Sequence, residues 1–126
     1  MSTLFKRTDM CGQLDIKDVG REVVLNGWVA KQRSLGRLIF VDLRDKTGIV
    51  QVAFDDTIPE GVFKAADSLR SEYVVGVKGI VRERSSKNPN LSTGDVEVVA
   101  DSLVVYSKAD TPPIYIKDDD NVDDNL

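Results

Sequence analysis

The sequence predicts an all-β fold, a five-stranded Greek-key barrel with one short helix between strands 3 and 4. Three observations carry this. Apolar residues alternate at period two, the strand period, along most of the chain. The one switch to helical spacing falls between the third and fourth apolar runs. Residues that favour turns separate the runs. A length of 126 residues suits a single domain.

The first strand is expected over 23–30, where Val23, Leu25 and Val29 share one parity. The second is expected over 38–44, with Ile39, Val41 and Leu43 as its apolar parity. Residues 33–37 join them, with Gly36 as the hinge. Asp45, Lys46, Thr47 and Gly48 form a turn into the third strand, over 49–54. Thr57 and Glu60 have the spacing of a capping box, and Pro59 is tolerated in a first helical turn. Val62, Ala65, Ala66 and Leu69 then recur at helical spacing, which predicts a helix over 60–70. The fourth strand is expected over 73–82, followed by a polar loop over 85–94. The fifth opens over 96–100 and is extended by 103–106. Three strands, a helix and two strands is the order of the OB-fold.

Composition narrows the chemistry. The chain has no His and one Cys. Within it a Ser-His-Asp triad, a Cys-His dyad and a His-ligated metal centre are impossible, as is an internal disulfide. The lone Cys11 reads as an inert small hydrophobe and fits a reducing compartment. No apolar stretch approaches the roughly 20 residues that span a bilayer, and no signal peptide is visible. The expected location is cytoplasmic, with no membrane partner. The net charge of −4 is unevenly spread: residues 1–100 hold 15 Lys/Arg and 14 Asp/Glu, and residues 101–126 hold 2 and 7. The expected division is a barrel over 1–110 and an acidic linker or tail over 111–126, opened by Thr111, Pro112 and Pro113.

Barrel strands point alternate residues outward. The outward parity gathers Phe40, Gln51, Lys78, Arg82, Arg84 and Glu97. Such a set suits single-stranded nucleic acid. An aromatic ring offers a stacking platform, Gln can donate to and accept from one base edge, Arg and Lys hold phosphates, and a carboxylate can accept from a guanine amino group. Blander readings fit the same residues. Phe40 suits a ring covered by a loop or another domain, and Gln51 a solvated strand residue. Arg82 and Arg84 suit solubilising charge, and Glu97 a cross-strand ion-pair partner. Trp28 reads as a packing residue. Asp42 and Asp45 read as turn and salt-bridge residues rather than an acid/base pair.

Several segments together resemble a known family. They are residues 11–14 (Cys, Gly, Gln, Leu), 27–29 (Gly, Trp, Val), 33–45 from Arg33 through Asp45, 48–52, 69–73, 81–84, 88–97 from Asn88 through Glu97, and 111–113. As a set they are similar to the N-terminal anticodon-binding domain of bacterial aspartyl-tRNA synthetases, over about residues 7–115. The resemblance implies an OB-fold that reads the anticodon loop of aspartate tRNA. It implies that Phe40 stacks on the middle base, a uracil, that Gln51 hydrogen-bonds that uracil, and that Glu97 contacts the first base, a guanine. It implies further that Arg33 contacts the tRNA and that Arg82, Arg84 and Asn88 line the anticodon-loop site. Asparaginyl- and lysyl-type domains, a free-standing OB-fold for single strands, and a protein-interaction domain using the same face are the alternatives. Relatives continue into a class II catalytic domain that binds ATP, Mg²⁺ and aspartate and forms the homodimer. The chain is therefore expected to be a truncated recognition module, with no catalytic residues, no metal site and no cofactor of its own.

Overall fold

The computed structural model describes residues 7–107. The expectations placed on 111–126 lie outside the described residues. The elements are β1 (Glu22–Leu35), β2 (Leu38–Asp45), β3 (Gly48–Asp55), α1 (Glu60–Asp67), β4 (Val74–Glu83) and β5 (Val96–Ser107). They close into a barrel in the order β1-β2-β3-β5-β4, so the OB-fold expectation holds. Every pairing is antiparallel except β3 with β5, where Gln51, Val52 and Ala53 run alongside Glu97, Val98 and Val99.

β1 is longer than the alternation suggested. Its first half pairs with β4 and its second half with β2, so one strand serves two neighbours. Where it changes partner, Gly27 admits a close approach, since a Cβ there would lie 2.3 Å from the Arg44 carbonyl oxygen. Just beyond, Val29 pairs with Leu43 and Lys31 with Asp42, which leaves Ala30 as the extra residue of a β-bulge. Residues 31–35 are strand rather than connector, and the hairpin closes through Gly36 and Arg37 alone. Gly36 has φ +69°, the positive value a tight hairpin turn asks of its first residue.

The inward parity reads as expected. Val23, Leu25, Val29, Ile39, Val41, Leu43, Val50, Val52, Phe54, Val75, Val77, Val81, Val96 and Val98 are all buried in one cluster. A second bulge, at Asp101 opposite Lys78 and Gly79, restores the inward phase so that Leu103 reaches the core as well. Ala66 of α1 and Leu69 after it close one end of the barrel, together with Ile58, Val62 and Phe63. The helix stops at Asp67, short of the expected residue 70. The capping box does not form. Asp55 at the end of β3 takes both the Thr57 N–H (3.0 Å) and the Thr57 hydroxyl (2.5 Å), so Thr57 faces back along the chain. Pro59 stands at the N-cap instead, and Glu60 pairs with Lys64 at 3.2 Å.

A 3₁₀ turn at Cys11–Gln13 packs on β2 and β3. Cys11 is buried, and its thiol is pushed far above its ordinary value, chiefly by burial. The turn is tied down by Asp45. One carboxylate oxygen accepts from the Cys11 N–H at 2.7 Å, the other from the Thr47 N–H at 2.8 Å and hydroxyl at 2.6 Å. Asp45 is thus a turn organiser, as its position suggested. No helix among the described residues is long and apolar enough to cross a membrane.

Burial opposes the charge on Asp45, but the hydrogen bonds from Thr47 and Cys11 outweigh it and hold the carboxyl below its ordinary value. A carboxylate of this kind stabilises the fold fully above its unfolded pKa, and the contribution is lost as pH falls through the folded value. Asp45→Ala is expected to lower stability at pH 7 by about 1–3 kcal/mol in urea unfolding. The gap from the unsubstituted chain should close as pH falls below about 4. A gap that persists unchanged into acid would show that the charge plays no part.

Candidate nucleic-acid interface

The outer face of the barrel is set by the strand register. Arg33 stands opposite Phe40, Lys31 opposite Asp42 and Trp28 opposite Arg44. Across β2 and β3, Phe40 stands opposite Ala53, Asp42 opposite Gln51 and Arg44 opposite Ile49. Gln51 then adjoins Glu97, and Glu97 adjoins Arg82. Strict alternation from Val23 would have turned Arg33 inward. The bulge at Ala30 shifts the phase of β1, and this is what puts Lys31 and Arg33 on the same side as Phe40.

Five of the seven expected site residues form one connected row, with one side chain from each strand. The Arg33 guanidinium carbon lies 5.2 Å from the centroid of the Phe40 ring, a cation–π distance. Arg33 Nη2 donates to Gln51 Oε1 at 3.2 Å. Gln51 Nε2 donates to Glu97 Oε1 at 2.7 Å. Arg82 Nε donates to Glu97 Oε2 at 2.8 Å, and Arg82 Nη2 reaches the same oxygen. Along the row run an aromatic ring, a cation, an amide, a carboxylate and a second cation.

Two expectations need correction. Gln51 is not a solvated strand residue, and neither it nor Glu97 stands free on the surface. Each is only 6% exposed. They lie on the outer parity, but β3 and β5 are covered by the flanking Arg33 and Arg82 side chains bonded to them. Arg82 is not simply solubilising charge. It is the ion-pair partner of Glu97, with its own side chain 51% exposed. The cross-strand reading of Glu97 therefore holds, and the pair sits within the site rather than apart from it.

Arg84 and Asn88 are not joined to this row. Arg84 follows β4, and its backbone N–H donates to the Asp95 carbonyl. Asn88 lies within the β4–β5 loop, where its side-chain oxygen accepts from the Asn90 N–H at 3.0 Å. Its backbone N–H donates to Gly94, and its carbonyl accepts from Leu91. Asn88 thus shapes the loop that borders the face. Lys78 lies on the same strand as Arg82 and faces Glu22 at 3.9 Å.

Sequence reasoning missed Trp28. It is half-buried on the outer face, outside the core cluster. It lines an open cleft of about 500 Å³ with Arg44, Lys46, Ile49, Asn90 and Leu91. The available signal was its parity, opposite that of Leu25 and Val29. What stayed hidden was the long loop that brings Asn90 and Leu91 over it.

The model of the OB-fold nucleic acid binding domain family named for the tRNA anticodon matches residues 23–106. The chain is 51% identical over 123 residues to an aspartate–tRNA(Asp/Asn) ligase of Syntrophomonas wolfei, a match covering 96% of this chain and 21% of that protein. It therefore spans about a fifth of the length of that curated relative. Among solved structures, asparaginyl-tRNA synthetase from Pyrococcus horikoshii complexed with asparaginyl-adenylate superposes with a TM-score of 0.70 at 30% identity, covering 83% of this chain and 23% of that one. OBody AM2EP06 bound to hen egg-white lysozyme superposes with a TM-score of 0.75 at 30% identity, covering 85% of this chain and 99% of that one.

The Glu97 geometry has a measurable consequence. Glu97→Gln keeps the shape and removes the charge, whereas Arg82→Ala leaves a buried carboxylate without its cation. Both should destabilise the domain, Glu97→Gln by about 1–3 kcal/mol and Arg82→Ala by more. Urea unfolding of the two variants checks the order, and the reverse order would contradict the row as described.

Proposed function

The chain belongs to the tRNA anticodon family of OB-fold nucleic acid binding domains, and from that premise we propose that it is the anticodon-recognition module of an aspartate–tRNA ligase. The observation that carries this reading is the row of five side chains, one from each strand, on the face where such barrels bind single strands. Phe40 supplies the stacking platform for the middle anticodon base. Arg33, held over that ring, and Arg82, half exposed at the other end, face the phosphates. Gln51 reads the base edge. Its amide still has one N–H and its carbonyl one lone pair beyond the bonds to Glu97 and Arg33. One donor beside one acceptor is what a uracil edge requires.

Glu97 fixes the direction of the Gln51 amide and offers a carboxylate to the amino group of a neighbouring guanine. Arg84 and Asn88 border the strand from the loop. A stacked, amide-read base discriminates because the wrong base leaves a polar group unpaired in a mostly buried site.

The ligase activity, with its ATP, Mg²⁺ and aspartate, the homodimer and the cytoplasmic setting belong to the same proposal for the whole protein. This chain, at about a fifth of the relative's length, contributes the recognition.

Phe40→Ala is expected to weaken binding to an aspartate anticodon stem-loop by about 1–3 kcal/mol. Gln51→Ala should erase the preference for a middle uracil over a middle cytosine. Affinity should fall with salt, with a slope of about −0.7 per phosphate contact on a single strand. Fluorescence anisotropy of a labelled stem-loop measures all three. Equal affinity of the unsubstituted domain for uracil and cytosine loops would overturn the reading.

A further inference from the structure

The cleft under Trp28 continues the reading face. Phe40 and Arg44 both point outward from β2, four residues apart, or about 14 Å at roughly 3.4 Å per residue. Between them lies the rung of Asp42 and Gln51. At the far rung, Trp28 stands beside Arg44, with Ile49 on the other flank. Lys46, on the adjoining turn, and Asn90 and Leu91, from the β4–β5 loop, complete the walls.

Three properties of this cleft match one ligand chemistry. First, it offers an aromatic surface that the core does not use. Second, it is cationic. Among the described residues neither Arg44 nor Lys46 makes an ion pair. The acid that lines the cleft with them, Asp45, has both oxygens taken by Cys11 and Thr47. Third, its volume of about 500 Å³ falls in the range of small-molecule sites and suits a single nucleotide.

We propose that the Trp28 cleft is a second base-stacking subsite, which takes a nucleotide of the anticodon loop outside the anticodon triplet. The base lies against the indole and Ile49, and its phosphates face Arg44 and Lys46. Asn90 stands where it can bond the base edge. The proposal rests on the anticodon-loop reading above and adds a separate contact to it. It gives the face two anchors, Phe40 and Trp28, separated by the amide-reading rung. A strand held at both ends has its register fixed against Gln51.

Trp28 is the single Trp of the chain, so its emission reports on the cleft directly and without substitution. The 126-residue chain is titrated with a labelled aspartate anticodon stem-loop while anisotropy and Trp emission are read together. Binding with loss of most of the emission is expected. Replacing loop nucleotides one at a time by abasic sites should restore the emission at one position outside the triplet, with anisotropy still reporting binding. Lys46→Ala should lower the salt slope by about 0.7, the value of one phosphate contact, and leave the preference for a middle uracil intact. Binding with unchanged emission, or emission restored only by an abasic middle base, would overturn the second subsite and leave the anticodon reading standing. No binding by anisotropy would overturn both.

Discussion

A carboxylate removed from water is tolerated in a protein only when charged or polar donors surround it. Glu97 imposes that condition on this barrel. Its two oxygens take the Gln51 amide on one side and the Arg82 guanidinium on the other, so it joins β3, β5 and β4 where the parallel pairing closes the wall. A hydrophobic residue at this position would close the barrel as well. It would not orient Gln51, whose amide could then turn either end toward a ligand. The buried acid therefore trades desolvation for a fixed direction of donor and acceptor, and the outer face inherits that direction.

Much of the fold was legible because inward and outward residues differ sharply in type. Ile39, Val41 and Leu43 against Phe40, Asp42 and Arg44 leave one possible orientation of β2. Prediction failed wherever a residue's position depended on a neighbour far along the chain. The bulge at Ala30 has no signature of its own, since its insertion shows only in the pairing with β2, and it reverses the phase of Arg33 and Lys31. The capping box failed because Asp55 competed successfully for Thr57. Gln51 looked solvated because a polar residue on an outward parity normally is. Its burial, like that of Glu97, comes with Arg33 and Arg82, which arrive from β1 and β4. Arg33 and Asn88 were expected from the family resemblance alone. The strand pattern was silent on both.

The face is also organised before any ligand arrives. Arg33 is held over Phe40, and the amide is held between two partners. Ordering long side chains on binding costs about 0.5–1.5 kcal/mol each, and here part of that cost is already met in folding. Charge is arranged with similar economy. Asp42 faces Lys31 across the register and Asp45 is absorbed by a turn, so the acids on or near the face do not oppose its cations.

The seam between β3 and β5 has a temporal meaning as well as a geometric one. Gln51 and Glu97 are 46 residues apart in sequence, while the β1–β2 and β2–β3 hairpins close through two-residue turns. Local hairpins form early and distant contacts late, because the chain must surrender more freedom to close a longer loop. Phe40 can thus be in place while the Gln51–Glu97 pair beside it is still apart. A nascent chain, or one breathing open along that seam, carries an aromatic ring without its grammar. Competence arrives only with the last stitch of the barrel, so that the completed fold is its own certificate of readiness.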